Sequence, residues 1–236
     1  MSRLPIAAKI FVVLTVLAGT AVLFYGSVHL KPANPLQFFL FLALAVAASR
    51  LKVKLPGMNG SMSVNLPFFL IVVAKLSISE ALVIACVSTI AQSLARSPSR
   101  NRPVQMVFNP ATLLNAVALA AMAFSAALQY HLALPLAVIA AAIAYFLGNT
   151  VPMALILWLA EGEKPVATWS RMADLTFPYY LLSASLTAIV CCGVRDVGWT
   201  IPFVLFVIMY LTYRSYRLYF ARAAAGPKPA PNATKG

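Results

Sequence analysis

The sequence has very few acidic residues and few charged residues of any kind. Among its 236 residues, 5 are Asp or Glu, 18 are Lys or Arg, and charged residues make up 10% of the chain. A soluble domain needs about 25% charged residues to cover its surface. The scarcity of charge therefore excludes an ordinary soluble domain.

Motifs of catalysis and metal binding are also missing. The chain has no GxSxG elbow, no phosphate-binding P-loop and no HExxH zinc motif. His29 and His131 fall at span ends, and two histidines alone make an incomplete metal site. Cys86, Cys191 and Cys192 lie in apolar runs without metal-ligand spacing, which is typical of small buried hydrophobic residues. We therefore expect no enzymatic activity, no metal and no cofactor.

Apolar residues are abundant instead. Hydrophobic residues make up 62% of the chain and the mean hydropathy is +0.88. Several charge-free runs reach about 18 residues, the length that crosses a hydrocarbon core of about 30 Å. The runs are continuous and do not alternate with polar residues, which favours helices over a barrel. The sequence thus predicts an all-α, polytopic integral membrane helix bundle whose partner is the lipid bilayer.

Apolar runs between charges and turn residues predict eight transmembrane helices. They are Ile10–Val28, Pro35–Ser49, Val64–Ala74, Ala81–Ala95, Phe108–Tyr130, Leu132–Ala160, Leu175–Val194 and Trp199–Tyr213. One helix over residues 64–95 would be about 48 Å long, too long to cross without strong tilt. We expect two spans there, and a re-entrant pair over the same residues stays open as an alternative.

The distribution of basic residues predicts the orientation of the chain. A net charge of +13 would indicate a nucleic-acid partner in a soluble protein, but in a membrane protein Lys and Arg hold loops in the cytoplasm. With eight spans, fifteen of the eighteen basic residues share one side, namely Arg3, Lys9, Arg50, Lys52, Lys54, Arg96, Arg100, Arg102, Lys164, Arg171, Arg214, Arg217, Arg222, Lys228 and Lys235. We therefore expect both termini in the cytoplasm, a bacterial inner-membrane location and no nucleic-acid partner.

The two ends of the chain have their own predictions. Arg3 and Lys9 precede an apolar run, as in a signal peptide, but the run exceeds the usual length of about 7–15 residues, which favours a retained first span. Residues 1–222 are expected to form the transmembrane helical domain. Residues 223–236, rich in Pro and Ala, are expected to form a disordered cytoplasmic tail.

The predicted spans carry amide side chains, among them Gln92, Asn109, Asn115 and Asn149. An amide is costly in hydrocarbon unless it is hydrogen-bonded, so these residues should face the bundle interior. Two interpretations remain open. The amides either hold helices together or line a pocket for a small ligand, with Tyr179 as a hydrogen-bonding aromatic wall.

The order of five segments resembles a family of bacterial signalling proteins. The segments are LPGMNGSMSVNLPFFLIVV, RPVQMVFNPATLLNA, YFLGNTVPMALILWLAEGE, FPYYLLSASLTAIV and YRSYRLYF. Over residues 35–222 this order resembles the MASE-like multi-helix membrane sensor regions that precede HD-GYP or GGDEF domains. Its most specific elements are Phe108-Asn109, Asn149-Thr150 and Arg217-Leu218-Tyr219. The resemblance implies a stand-alone ligand-sensing or interaction module without its own output domain, whose output is either lost or supplied by another protein such as a cytoplasmic signalling protein.

Two other classes of function compete with a sensor. Vitamin-binding components of energy-coupling-factor transporters are also compact and basic, and partner ATPases engage their small-residue stripes. Ala140, Ala144 and Gly148 form such a stripe here, which suits a transporter component with transporter subunits or ordinary helix packing. The third class is a structural membrane protein. The sequence leaves homo-oligomerisation open.

Overall fold

The computed structural model describes residues 4–54, 61–94, 103–193 and 200–225 of the chain. These ranges contain eight α-helices and one short β-hairpin, so the expected helical fold is confirmed and the hairpin is an addition to it. The elements are α1 (Ile6–Val28), α2 (Pro35–Ser49), β1 (Lys52–Lys54), β2 (Ser61–Ser63), α3 (Leu66–Lys75), α4 (Ile78–Leu94), α5 (Pro103–Gln129), α6 (Leu134–Glu161), α7 (Pro165–Gly193) and α8 (Thr200–Ala225). The predicted loop residues Arg96, Arg100 and Arg102 and most of the tail 223–236 lie outside the described ranges.

Length and hydropathy together separate two groups of helices. In the described ranges, four helices are long and apolar enough to cross a membrane: α1, α5 (over Val104–Gln129), α6 and α7. These four helices identify a helical membrane protein. The third predicted span corresponds to α3, which has 10 residues and is about 15 Å long, half of a hydrocarbon core. The sequence predicted eight spans, whereas four of the described helices meet the criteria of length and hydropathy.

Two helices extend well past the predicted spans. α7 begins at Pro165, before the predicted start at Leu175, and α8 continues to Ala225, beyond the predicted end at Tyr213. Span prediction stops at charged residues, whereas backbone hydrogen bonds continue a helix whether its side chains are apolar or charged. The predicted tail from residue 223 onward thus begins inside α8.

Three contacts define the two ends of the bundle. The Lys75 ammonium group donates to the Cys191 carbonyl oxygen at 3.4 Å, which brings the turn between α3 and α4 to the end of α7. Gly26, near the end of α1, lies against Leu82 of α4. We call this end the turn end. The opposite end, the hairpin end, holds β1 and the last turn of α4, where Lys52 Nζ donates to the Gln92 carbonyl oxygen at 3.3 Å.

The hairpin packs one face against the bundle. β1 and β2 pair antiparallel with Lys52 opposite Ser63, and the Val64 N–H adds a bond to the Leu51 carbonyl oxygen at 3.1 Å. An isolated two-stranded hairpin is marginally stable in water. Here the side chain of Val53 is buried in the core, so the helices supply the stability that the hairpin lacks.

Small residues let the helices approach closely. A Cβ atom added to Gly19 of α1 would lie 2.9 Å from the Ala111 Cα atom of α5. A Cβ atom on Gly148 of α6 would lie 3.0 Å from the Ala116 Cα atom of α5. The small residue Gly148 is therefore used for packing inside the bundle, in agreement with the role of small residues between membrane helices.

The cysteines follow the sequence expectation in part. Cys86 and Cys191 are buried, as expected, and both are free thiols. Cys192 is exposed on the surface, so the expectation of burial was wrong for this residue. Consecutive residues of a helix point about 100° apart, and at this end of α7 Cys191 faces the core whereas Cys192 points outward.

Candidate ligand site beside helix α3

Helix α3 is surrounded by the rest of the bundle. Every residue from Leu66 to Val73 is buried, and the helix contacts α4, α5, α6, α7 and α8. Its sequence, LPFFLIVVAK, has no polar stripe. A helix that is hydrophobic on all sides belongs in the interior, and the sequence thus explains why so short a helix occupies the centre.

The first turn of α3 is capped by a residue of α7. The Leu66 N–H donates to the Tyr179 hydroxyl oxygen at 3.0 Å. Pro67 has no N–H, and the N–H groups of Phe68 and Phe69 donate to the Asn65 carbonyl oxygen at 3.1 and 3.4 Å. The backbone donors that a helix N-terminus usually offers to an anion are therefore occupied by the protein itself.

Two polar side chains beside this turn make no hydrogen bond that is seen in the described part of the chain. Asn65 is 3% exposed and its amide makes no cap hydrogen bond. Tyr145 of α6 is also 3% exposed, and no hydrogen bond involves its hydroxyl. Both groups thus have unused capacity for hydrogen bonds to a bound molecule.

Two predicted site residues, Asn149 and Tyr179, are linked through a third residue. The Asn149 Nδ2 group donates to the Tyr180 hydroxyl oxygen at 3.1 Å. The ring of Tyr180 lies 5.9 Å from the ring of Tyr179 and 6.0 Å from that of Tyr145. These distances are within the range of favourable aromatic pairs. We call Asn65, Tyr145, Asn149, Tyr179 and Tyr180 the tyrosine cluster.

The cluster lies at one level of the bundle. Tyr179 precedes the end of α7 by 14 residues, about 21 Å along the helix. Asn149 follows the start of α6 by 15 residues, about 22 Å. α3 is about 15 Å long and its last residue lies at the turn end. Its first turn therefore lies at a similar distance from the turn end as Tyr179 and Asn149. The tyrosine cluster is therefore enclosed between α3, α6 and α7.

The three other predicted site residues lie elsewhere. Asn115 Nδ2 donates to the Thr15 carbonyl oxygen at 3.1 Å, which ties α5 to α1. Gln92 is half-buried at the hairpin end and contributes its backbone carbonyl oxygen to the bond with Lys52. Asn109 is half-buried on α5, and no hydrogen bond of its side chain is seen among the described residues. The geometry does not bring these three amides together with the tyrosine cluster.

The chemistry of the cluster is that of neutral hydrogen bonding. Its polar groups are two amides and three phenols, and none of the five residues carries a formal charge at neutral pH. In the described ranges, no group of three His, Cys, Asp or Glu residues could hold a metal ion. The cluster can donate and accept hydrogen bonds between aromatic walls, which fits an uncharged polar molecule.

An apolar groove of about 370 Å³ lies nearby, between α6 and α7. Leu147, Val151 and Trp169 are among its lining residues. The Trp169 indole N–H donates to the Thr150 hydroxyl oxygen at 3.1 Å, so the polar atom of this lining residue is already bonded. The groove therefore offers only apolar contacts, whereas the tyrosine cluster also offers hydrogen bonds.

Sequence reasoning missed Asn65, Tyr145 and Tyr180. Asn65 precedes Leu66-Pro67 and a charge-free run, which is a signal for a helix start. Tyr145 and Asn149 are four residues apart on a helix and therefore share a face. Tyr180 is adjacent to Tyr179, and sequence alone does not indicate which of the two hydroxyls meets Asn149.

No protein family, characterised protein or solved structure matches this chain.

Proposed function

We propose that this protein is a multi-pass membrane module of the sensor type that binds a small, uncharged, hydrogen-bonding molecule in the tyrosine cluster. The observation that carries the proposal is the pair of buried polar side chains, Asn65 and Tyr145, that have no hydrogen bond in the described part of the chain. A ligand that bonded to both would use hydrogen-bonding capacity that the described part of the chain leaves unused. Binding there would also couple α3 to α6.

The proposed membrane topology has eight membrane-embedded helices and cytoplasmic termini. It is supported by the contacts of Lys75 and Lys52, which lie at opposite ends of the bundle. The excess of basic residues at the hairpin end supports a cytoplasmic location of that end. In this arrangement α3 is a half-length helix enclosed by protein, and short or broken helices of this kind often border ligand sites in membrane proteins.

The contacts of Gly148 favour a sensor over a transporter component. A partner ATPase would need an accessible stripe of small residues, but Gly148 is buried against Ala116 of α5. Output from a sensor would instead pass through helices that leave the membrane. α8 would serve this purpose, because Tyr216 of α8 contacts the ring of Tyr179 at 6.3 Å.

The first experiment measures what the purified protein contains. The protein is purified from native membranes in mild detergent, denatured, and its small molecules are identified by mass spectrometry. We expect a neutral polar compound in the wild type and its loss from Asn65→Leu and Tyr145→Phe. Asn109→Leu is the matched control, since it removes an amide outside the cluster and should retain the compound.

The outcomes separate the functions. Equal ligand content in Tyr145→Phe and wild type would contradict the proposed site. Tyr145→Phe keeps the aromatic ring, so a loss of ligand in this variant reports the missing hydroxyl and not a loss of folding. Proteins that copurify are identified from the same sample. A cyclic-dinucleotide enzyme would support the sensor, whereas a pair of ATPases with a large membrane subunit would replace it with a transporter.

A further inference from the structure

One face of α8 changes from apolar to cationic within a single turn. Its exposed residues include Val207, Leu211, Arg214 and Leu218, which are spaced by three or four positions and therefore line one side of the helix. Arg217 is also exposed and follows Arg214 by three positions, which places the two side chains next to each other. The apolar part of this face suits lipid tails and the two arginines suit a polar headgroup.

The two arginines have no acidic partner in the described ranges. α8 contains no Asp or Glu, and the one hydrogen bond seen for either guanidinium runs from Arg217 Nη1 to the Tyr213 hydroxyl oxygen at 3.3 Å. A guanidinium group has five N–H donors. Tyr213 thus accepts one hydrogen bond from Arg217 and leaves most of its donors available.

The opposite face of α8 is anchored in the bundle. Phe220 is buried in the core, and its ring lies 5.6 Å from that of Tyr216, which in turn contacts Tyr179. The helix therefore cannot easily rotate to bury its arginines. The cationic pair has a fixed location next to an apolar surface.

We infer that Arg214 and Arg217 bind the phosphate of an anionic phospholipid, whose acyl chains lie along the exposed apolar face of α8. Arginine binds phosphate through two parallel hydrogen bonds, and adjacent arginines can share one headgroup. Tyr210 is 43% exposed and lies one turn before Arg214, in the position of an interfacial aromatic residue. The charge of the pair selects an anionic lipid over a zwitterionic one.

The test is a lipid titration of the full chain in detergent, followed by native mass spectrometry. Phosphatidylglycerol is compared with phosphatidylcholine of the same acyl chains. A basic residue near anionic lipid contributes about a fivefold change in affinity. We expect Arg214→Gln and Arg217→Gln each to weaken phosphatidylglycerol binding about fivefold, with little effect on phosphatidylcholine. Arg171→Gln, an exposed arginine of α7, is the matched control and should bind as the wild type does.

A subtler variant keeps the test independent of protein folding. Tyr213→Phe retains the ring and the charge but releases Arg217, so phosphatidylglycerol affinity should fall about twofold or more. Equal affinity of the wild type for the two lipids would overturn the proposal, as would an undiminished affinity in the double variant Arg214→Gln/Arg217→Gln. Raising the salt from about 0.1 M to 1 M should weaken wild-type binding, because the screening length falls from about 10 Å to 3 Å.

Discussion

The hydroxyl oxygen of Tyr179 accepts a hydrogen bond at 3.0 Å from the backbone N–H of Leu66, a residue 113 positions earlier in the chain. Both groups are buried. A side chain of α7 thus supplies the cap that α3 does not receive from its own Asn65, whose amide makes no cap bond. The start of the central helix depends on a distant part of the sequence.

Tyr179→Phe should therefore destabilise the protein by about 1–3 kcal/mol, because the buried N–H of Leu66 loses its partner. The free energy of unfolding is measured by SDS titration in mixed micelles. Hydrogen exchange should also become faster at the first turn of α3. Tyr210→Phe is the control, since Tyr210 is 43% exposed, and equal stability of the two variants would contradict a capping role.

Gly148→Ala should destabilise the contact between α5 and α6. The added Cβ atom would lie 2.9 Å from Leu119 Cδ1 and 3.0 Å from the Ala116 Cα atom. A backbone atom cannot move aside as a flexible side chain can, so we expect a cost of about 1–3 kcal/mol. Gly193→Ala meets no atom within 4 Å, and its thermal unfolding midpoint should equal or exceed that of the wild type. A Gly148→Ala protein of wild-type stability would show that the helices are less tightly packed.

Asn115→Leu should loosen α1. The variant removes the bond from Asn115 Nδ2 to the Thr15 carbonyl oxygen, and such bonds between membrane helices contribute about 0.6 kcal/mol on average and about 1.7 at most. The same SDS titration measures the loss. Asn109→Leu removes an amide that has no hydrogen bond in the described part of the chain, and it should cost less than Asn115→Leu. A larger loss of stability in Asn109→Leu than in Asn115→Leu would instead assign the structural role to Asn109.

Ser77→Ala should weaken the start of α4. The Ser77 hydroxyl accepts from the Glu80 N–H at 3.2 Å, and the Ser77 backbone N–H donates to Glu80 Oε2 at 2.8 Å, which together form a capping box. The Ser77 hydroxyl also donates to Glu80 Oε2 at 2.7 Å. Loss of an N-cap serine costs about 1 kcal/mol. Glu80 is 2% exposed and its Oε1 atom has no hydrogen bond, so a larger loss is expected here. Ser93→Ala, whose hydroxyl bonds within α4 to the Thr89 carbonyl oxygen, provides the comparison. Equal unfolding curves for the two variants would rule out a role for the box.

Hydropathy predicted the helical membrane fold well because long apolar helices depend on local composition. α1, α5, α6 and α7 follow from their runs of apolar residues. The β-hairpin did not follow, because strands of three residues carry almost no periodic signal. The half-length of α3 is explained by burial on all sides, which is a property of the assembled bundle and not of a single segment.

The candidate site could be predicted only in part for a related reason. Asn149 was predicted from the cost of an amide in hydrocarbon and Tyr179 as an aromatic wall, and Tyr180 links the two. Asn115 has the same chemistry but bonds to Thr15 of another helix. Sequence shows which side chains need a partner, whereas the helix packing determines which partner each one meets.

The cap on α3 also limits the order in which the chain can be completed during synthesis. Ribosomes add about 5–20 residues per second, so Tyr179 emerges about 6 to 23 seconds after Leu66. During that interval α3 is about 15 Å long and lacks its cap, and the helices α4, α5 and α6 that pack against it are made one after another. An unpaired backbone group is poorly tolerated in lipid. We therefore expect the segment that becomes the centre of the bundle to stay outside the hydrocarbon, or inside the insertion machinery, until α7 arrives.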